Sequence, residues 1–354
     1  MNTISALPDF HPALWQEPIS IGKVSCTLCP RYCELGAGQN GFCYVRKNID
    51  GKLYSLAYGK PTGFAVDPIE KKPLNHFLPG SSILSFGTAG CNLGCKFCQN
   101  WSMSKAKIDS VLSLNCSPED VIQMAKGNDT PSIAFTYNDP VIFGEYVIDI
   151  SRLAREEQIN SVMVTAGYID KHARQDVFKY IDAANVDLKA FSESFYHNLT
   201  SAHLQDVLDT LLWLRHDTNI WLEITTLLIP GENDSEDETK AMCDWVLENL
   251  GDCIPLHFTA FHPDFKMTNK QLTPTKTILH ARELALSAGI KYCYVGNIID
   301  RKGQTTFCPR CDSKLIERNW HGVAGNKMTG DKCPKCGTVI AGKFNKYSSN
   351  IIPD

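Results

Sequence analysis

At 354 residues, 43% apolar and 21% charged, the chain has the composition of a soluble globular protein, which excludes wholesale disorder. Its length suits one barrel with small appendages, and no apolar run approaches the roughly 18 residues of a membrane-spanning helix. The net charge of −4 is uneven: residues 301–347 hold ten Lys/Arg against three Asp/Glu, or +7, leaving −11 elsewhere.

Residues 1–9 have neither a basic start nor a long apolar core, so no signal peptide is expected. Fifteen cysteines without a secretion signal argue for metal ligation in a reducing cytoplasm rather than for disulfides. Eleven fall into three spaced clusters. Cys116, Cys243, Cys253 and Cys293 stand alone and read as buried thiols acting as small hydrophobes. Pattern divides the chain into a cysteine-rich extension at 1–80, an α/β core at 81–300 and a basic, cysteine-paired module at 301–354.

The extension is loop-rich, with little periodicity. It carries Cys26-x2-Cys29-x3-Cys33-x9-Cys43, and Gly36, Gly38 and Gly41 let the loop turn back. Four ligands suggest a closed site, either zinc or a fully ligated iron–sulfur cluster that relays electrons.

A strand is expected near 83–87. Directly after it comes Gly90-Cys91-Asn92-Leu93-Gly94-Cys95-Lys96-Phe97-Cys98. Three cysteines on one short loop can hold three corners of a cubane and leave the fourth iron open, as catalytic metal sites require. The alternative is a zinc knot that borrows His76 or His257, but CxxxCxxC lacks the paired CxxC of zinc ribbons.

Further strands are expected near 132–136, 161–165, 184–188, 220–225, 256–261 and 292–296. Helices lie between them: one opens at Ser117-Pro118, another spans 140–157, and a third spans 236–250 with Ser235 as its cap. Polar groups follow most strands at the C-terminal end, which predicts a partial (β/α)6 TIM-like barrel rather than an open sheet with one switch point. Asn138 and Asp139 can hold an ammonium group or turn into the helix at Pro140. Asp187 and Lys189, two apart, share a face and can bind a ligand or each other. His257 and His262 differ in parity, so a His–His metal pair is not expected. In the last module, Cys308-x2-Cys311 and Cys333-x2-Cys336 read as a zinc ribbon, with an iron–sulfur cluster as runner-up. Trp320, Phe344 and Tyr347 are its exposed-type aromatics.

CxxxCxxC with Phe97 resembles the signature loop of the radical S-adenosylmethionine (SAM) superfamily. Over about residues 24–340 the resemblance narrows. It rests on Asp67-Pro68-Ile69-Glu70-Lys71-Lys72-Pro73-Leu74, His76-Phe77, Pro79-Gly80, Cys98-Gln99-Asn100-Trp101 and Thr136-Tyr137-Asn138. It continues through Asp187-Leu188-Lys189, Ile229-Pro230-Gly231, Asn233-Asp234, Phe261-His262-Pro263 and Gly296-Asn297. Together these resemble the AmmeMemoRadiSam-system radical enzymes, which are similar to pyruvate formate-lyase activating enzymes.

The resemblance implies a [4Fe-4S] cluster on Cys91, Cys95 and Cys98, and SAM contacts from Asn138, Asp139, Asp187, Lys189 and His257. It implies reductive cleavage of SAM to a 5′-deoxyadenosyl radical, a reductant such as flavodoxin or ferredoxin, and a protein substrate or system partner. Glycyl-radical activation is the nearest activity. Direct modification of a metabolite or nucleic acid, and an inactive zinc-binding scaffold, are the alternatives. Two departures stand out: Asn138-Asp139 where the family usually has Asn-Glu, and Thr165-Ala166-Gly167 where it usually has Thr-Asn-Gly.

Overall fold

The computed structural model describes residues 10–345, 350 and 351; the expectations for residues 1–9 and for Tyr347 lie outside them. The chain forms two compact units, Met1–Val66 with Ile83–Ile181, and Asp67–Ser82 with Asp182–Asp354. The segment 67–82 thus belongs with the C-terminal half, not with the residues that precede it.

In the first unit, parallel strands Ser82–Gly87, Ser132–Phe135 and Asn160–Thr165 lie side by side, Leu84 opposite Ile133 and Ser132 opposite Asn160. They are buried almost throughout, which is why each reads as a short continuous apolar run. The helix Pro118–Gly127 begins at a full capping box between Ser117 and Asp120, with Pro118 at its first position. The helix expected over 140–157 forms in two pieces, a 3-10 turn Pro140–Phe143 and then Gly144–Glu156. The Asp139 carboxylate accepts from Val141 N–H and tightens that first turn.

The extension is more regular than expected. Six strands of two to five residues make two antiparallel three-stranded sheets, Gln16–Ser20 with Lys23–Cys26 and Cys33–Leu35, and His11–Pro12 with Lys52–Ser55 and Arg46–Ile49. Strands this short carry too few residues for alternation to show. The buried Arg46–Glu145 pair, bidentate at 2.7 and 2.8 Å, fastens the extension to the helix Gly144–Glu156.

In the second unit, strands Ala183–Asp187, Trp221–Leu228, Leu256–Ala260 and Cys293–Gly296 run parallel in that order, with helices Leu204–His216, Glu236–Asn249 and Thr275–Ala288 between them in sequence. Ser235 caps Glu236–Asn249 as expected. The strand expected at 220–225 runs on to Leu228, so Glu223 and Thr225 lie inside it rather than at its end. A three-stranded antiparallel sheet, Thr306–Phe307, Lys314–Asn319 and Gly322–Asn326, follows. The fold is α/β with parallel strands, as the alternation of short apolar runs and helical stretches predicts.

Candidate active site and metal centres

The first unit builds the three-cysteine loop. Gly87 ends the strand with no room for a side chain, because a Cβ there would sit 2.5 Å from the Thr136 carbonyl oxygen. Asn138 then braces the turn. Its Oδ1 accepts from Thr88 N–H, and its Nδ2 donates to Thr88 Oγ1 and Gly90 O at 3.0 and 2.8 Å. Leu93 N–H points at Cys91 Sγ at 3.4 Å, and Ser104 Oγ lies 3.0 Å from Cys98 Sγ. Burial pushes the Cys91 thiol up, Lys105 draws it down, and the nearby Asp139 carboxylate pushes it up again.

Asp139 is 4% exposed and bonds the end of the next strand, accepting from Thr165 Oγ1 and Ala166 N–H, both at 2.9 Å. Ala166 lacks a polar side chain but works through its backbone. Sequence reading missed two further cations here: Lys105 Nζ donates to Leu93 O, and Arg31 Nε donates to Asn92 O.

The second unit holds the other candidates. Asp187 pairs with Thr225, Thr225 with His257 and His257 with Tyr294 across four parallel strands, so these four share one face. Lys189 Nζ and Asp187 Oδ2 form an ion pair at 2.5 Å, part-exposed. His257 Nε2 lies 2.6 Å from Glu223 Oε2. The fully buried Glu223 also accepts from Asn75 and His76 N–H and from Trp221 Nε1. Burial raises its carboxyl, but hydrogen bonds and charge from His257, with His76 and Trp221, bring it below the ordinary range. His262 is exposed where His257 is buried, so the two do not pair. A lone carboxylate in the apolar run Trp221-Leu222-Glu223-Ile224 was the signal for this network.

The C-terminal thiols form two matching knuckles. Asp312 N–H returns to Cys308 O and Gly337 N–H to Cys333 O, both at 2.9 Å. Asp312 and Gly337 occupy the same left-handed position, φ 55 and 72. Cys308 Sγ lies 3.5 Å from Cys336 Sγ, and Cys311 Sγ 3.7 Å from Cys333 Sγ. Among the described residues, these four are the group of metal-binding side chains whose ligand atoms all lie within 4.8 Å of one another. Hydrogen bonds from Thr338 draw the Cys336 thiol down to about 6, and burial pushes Cys308 up to about 11.

The N-terminal thiols also face one another. Cys26 sits directly opposite Cys33 in the antiparallel pair. Burial raises the Cys29 thiol well above its ordinary value, and Cys26, Cys43 and Cys33 all raise it further.

Comparison with known proteins decides the family. The pattern of the Radical SAM superfamily matches residues 86–243, which contain the three-cysteine loop and four of the parallel strands. An uncharacterized protein of Methanocaldococcus jannaschii is 40% identical over 93% of this chain and 98% of its own length. The chain belongs to the radical SAM superfamily. Within the superfamily it is similar to the pyruvate formate-lyase-activating enzyme of Clostridium pasteurianum, 21% identical over 49% of this chain and 72% of that protein. A crystal structure of a radical SAM methyltransferase from Sphaerobacter thermophilus shares the fold. It aligns at TM-score 0.51 and 15% identity over 62% of this chain and 67% of that one. Radical SAM membership implies a [4Fe-4S] cluster and SAM. Among the described residues, no helix is long and apolar enough to cross a membrane.

Proposed function

We propose that the chain binds a [4Fe-4S] cluster through Cys91, Cys95 and Cys98 and uses it to cleave SAM reductively, initiating hydrogen abstraction from a substrate. The observation that carries this reading is the braced loop. Three thiols follow a strand end that Asn138 fixes at three points, and N–H and O–H groups lie at two of the sulfurs, as thiolate ligands favour. When bound, the cluster supplies one electron to the sulfonium, giving methionine and a 5′-deoxyadenosyl radical that takes a hydrogen atom.

The chain's own residues bind and orient. Cys91, Cys95 and Cys98 would hold three irons and leave the fourth without a protein ligand, free to take the SAM amino and carboxylate groups. Asn138 acts by holding the loop, and Asp139 supplies negative charge beside Cys91 for the N–H groups of the SAM amine. Lys189, oriented by Asp187, meets the carboxylate or ribose, and His257 is held by Glu223 to donate or accept there.

The C-terminal thiols hold zinc: edges of 3.5 and 3.7 Å fit a tetrahedron with Zn–S bonds of about 2.3 Å, whose edges are about 3.8 Å. A reduced flavodoxin or ferredoxin serves as electron donor, and the reading belongs in a reducing cytoplasm, where fifteen cysteines stay free.

Formation of a glycyl radical on a partner enzyme is the activity nearest by similarity. One observation favours direct modification of an acidic small molecule or nucleic acid instead: Trp320 is 44% exposed on the strongly basic terminal module.

Anaerobically reconstituted protein given dithionite and SAM should release 5′-deoxyadenosine, read by chromatography. A Cys95→Ala protein that still released it would overturn the assignment.

A further inference from the structure

We propose that Cys26, Cys29, Cys33 and Cys43 hold a second [4Fe-4S] cluster, closed by four thiolates. The set is prepared as a ligand set. Cys26, Cys29 and Cys43 are buried, and a backbone N–H two residues on points at each sulfur: Leu28 at Cys26, Arg31 at Cys29 and Val45 at Cys43. The same i+2 donation recurs at Cys91 from Leu93 and at Cys308 from Arg310, in the two centres already described. Cys33 comes in from the facing strand, with its sulfur 3.7 Å from where a Gly41 Cβ would lie.

Spacing separates a cluster from a single ion. Around one zinc, four sulfurs share tetrahedral edges, and the terminal module meets that spacing. A cubane puts each thiolate on its own iron, farther apart. Among the described residues that close spacing is met by Cys308, Cys311, Cys333 and Cys336, and the N-terminal four are assigned to a cluster by their place beside the Cys91 loop.

Position adds a reason. A Cβ at Gly90 would overlap the Cys43 carbonyl oxygen, so the residue before Cys91 presses on the backbone of a ligand of the second site. Arg31, between Cys29 and Cys33, donates to Asn92 O inside the Cys91 loop. A cluster with every iron held by protein has no place for substrate; its chemistry is one-electron transfer. It accepts one electron from a reduced flavodoxin or ferredoxin and passes the same electron on.

The test is an iron and zinc count with electron paramagnetic resonance on full-length protein, reconstituted anaerobically. Wild type should carry about eight irons per chain, and the Cys91→Ala, Cys95→Ala, Cys98→Ala triple variant about four, taking up one electron from dithionite with a [4Fe-4S] signal. Cys29→Ser with Cys43→Ser should lose about four irons while keeping a signal that shifts on adding SAM. About four irons in wild type, or zinc in place of iron in the triple variant, would overturn the second cluster. Neither result would touch the proposed function, which fails if wild type with iron releases no deoxyadenosine or if Cys95→Ala still releases it.

Discussion

Glu223 has no exposure yet keeps its charge, because Asn75 N–H, His76 N–H, Trp221 Nε1 and His257 Nε2 all converge on its two oxygens. Glu223→Gln puts an amide nitrogen among those donors, so at least one buried N–H loses its acceptor. We expect a loss of about 1–3 kcal/mol in denaturant unfolding. His76 next door is held neutral: burial lowers its pKa to about 4, while Nδ1 meets Ala341 O and Nε2 the Tyr294 hydroxyl. The unfolded chain binds a proton near 6.5 and the folded chain only near 4. Stability is therefore full above 6.5 and drains as pH falls toward 4. From pH 7 to pH 5 the loss should be about 2 kcal/mol, and the lowered Glu223 carboxyl acts in the same direction below its ordinary value. Thermal melts across that range check it, and His76→Gln should flatten the slope. In the same unit, Lys189→Ala should weaken SAM binding roughly ten- to a hundredfold by calorimetry, the effect of losing a charge-assisted bond of about 1.5–3 kcal/mol. Unchanged binding would return Lys189 to a local ion pair with Asp187.

Elements differ in how plainly the sequence announces them. The core strands were legible because each is buried almost throughout and so reads as a mainly apolar run. Ser117 and Ser235 were legible as caps because a capping hydroxyl acts on its own next three residues. The extension's strands were not, because sheets of two- to five-residue strands leave no period to count. Nor was the fate of Asp139, whose partners Thr165 and Ala166 are 26 and 27 residues away and meet it only once the strands align. The cysteine spacing disclosed the four thiols that gather at Cys308, Cys311, Cys333 and Cys336, whereas the cross-strand row of Asp187, Thr225, His257 and Tyr294 exists only in the sheet register. One element-scale prediction follows from the turn into the cysteine loop. Gly90 has φ 86, and a side chain there would collide with the Cys43 carbonyl. Gly90→Ala should cost about 1–3 kcal/mol and lower iron incorporation, read by metal analysis after reconstitution. Normal iron content would show that the loop can shift without losing its ligands.

At the scale of the molecule, the terminal module is part of the second unit and not a loose appendage. Arg318, 2% exposed, donates to Asn75 O at 2.6 Å and to Thr306 Oγ1 at 2.8 Å, and it lies 3.4 Å from Glu70. Removing residues 301–354 would strip those partners and the Ala341 carbonyl from His76 together. A test of substrate handling is therefore better made with Trp320→Ala, which should leave stability within about 0.5 kcal/mol while impairing turnover of an acidic or nucleic-acid substrate. Stripping the zinc we propose for the four C-terminal thiols should instead loosen 67–82, seen as faster amide exchange of that segment. Its backbone reaches the far end of the chain, Leu78 N–H to Lys343 O at 2.7 Å and Lys343 N–H to His76 O at 2.7 Å. During synthesis the two units therefore come of age at different moments. The first has all its residues once Ile181 has left the ribosome, and its cysteine loop can be completed from then on. Residues 67–82 must wait: His76 and Ala341 are 265 positions apart, a delay of roughly 13–53 s at about 5–20 residues per second. For that interval a segment carrying Ile69, Leu74 and Phe77 lacks its last partners, Ala341 and Lys343, and a ribosome stalled late in the message leaves it so.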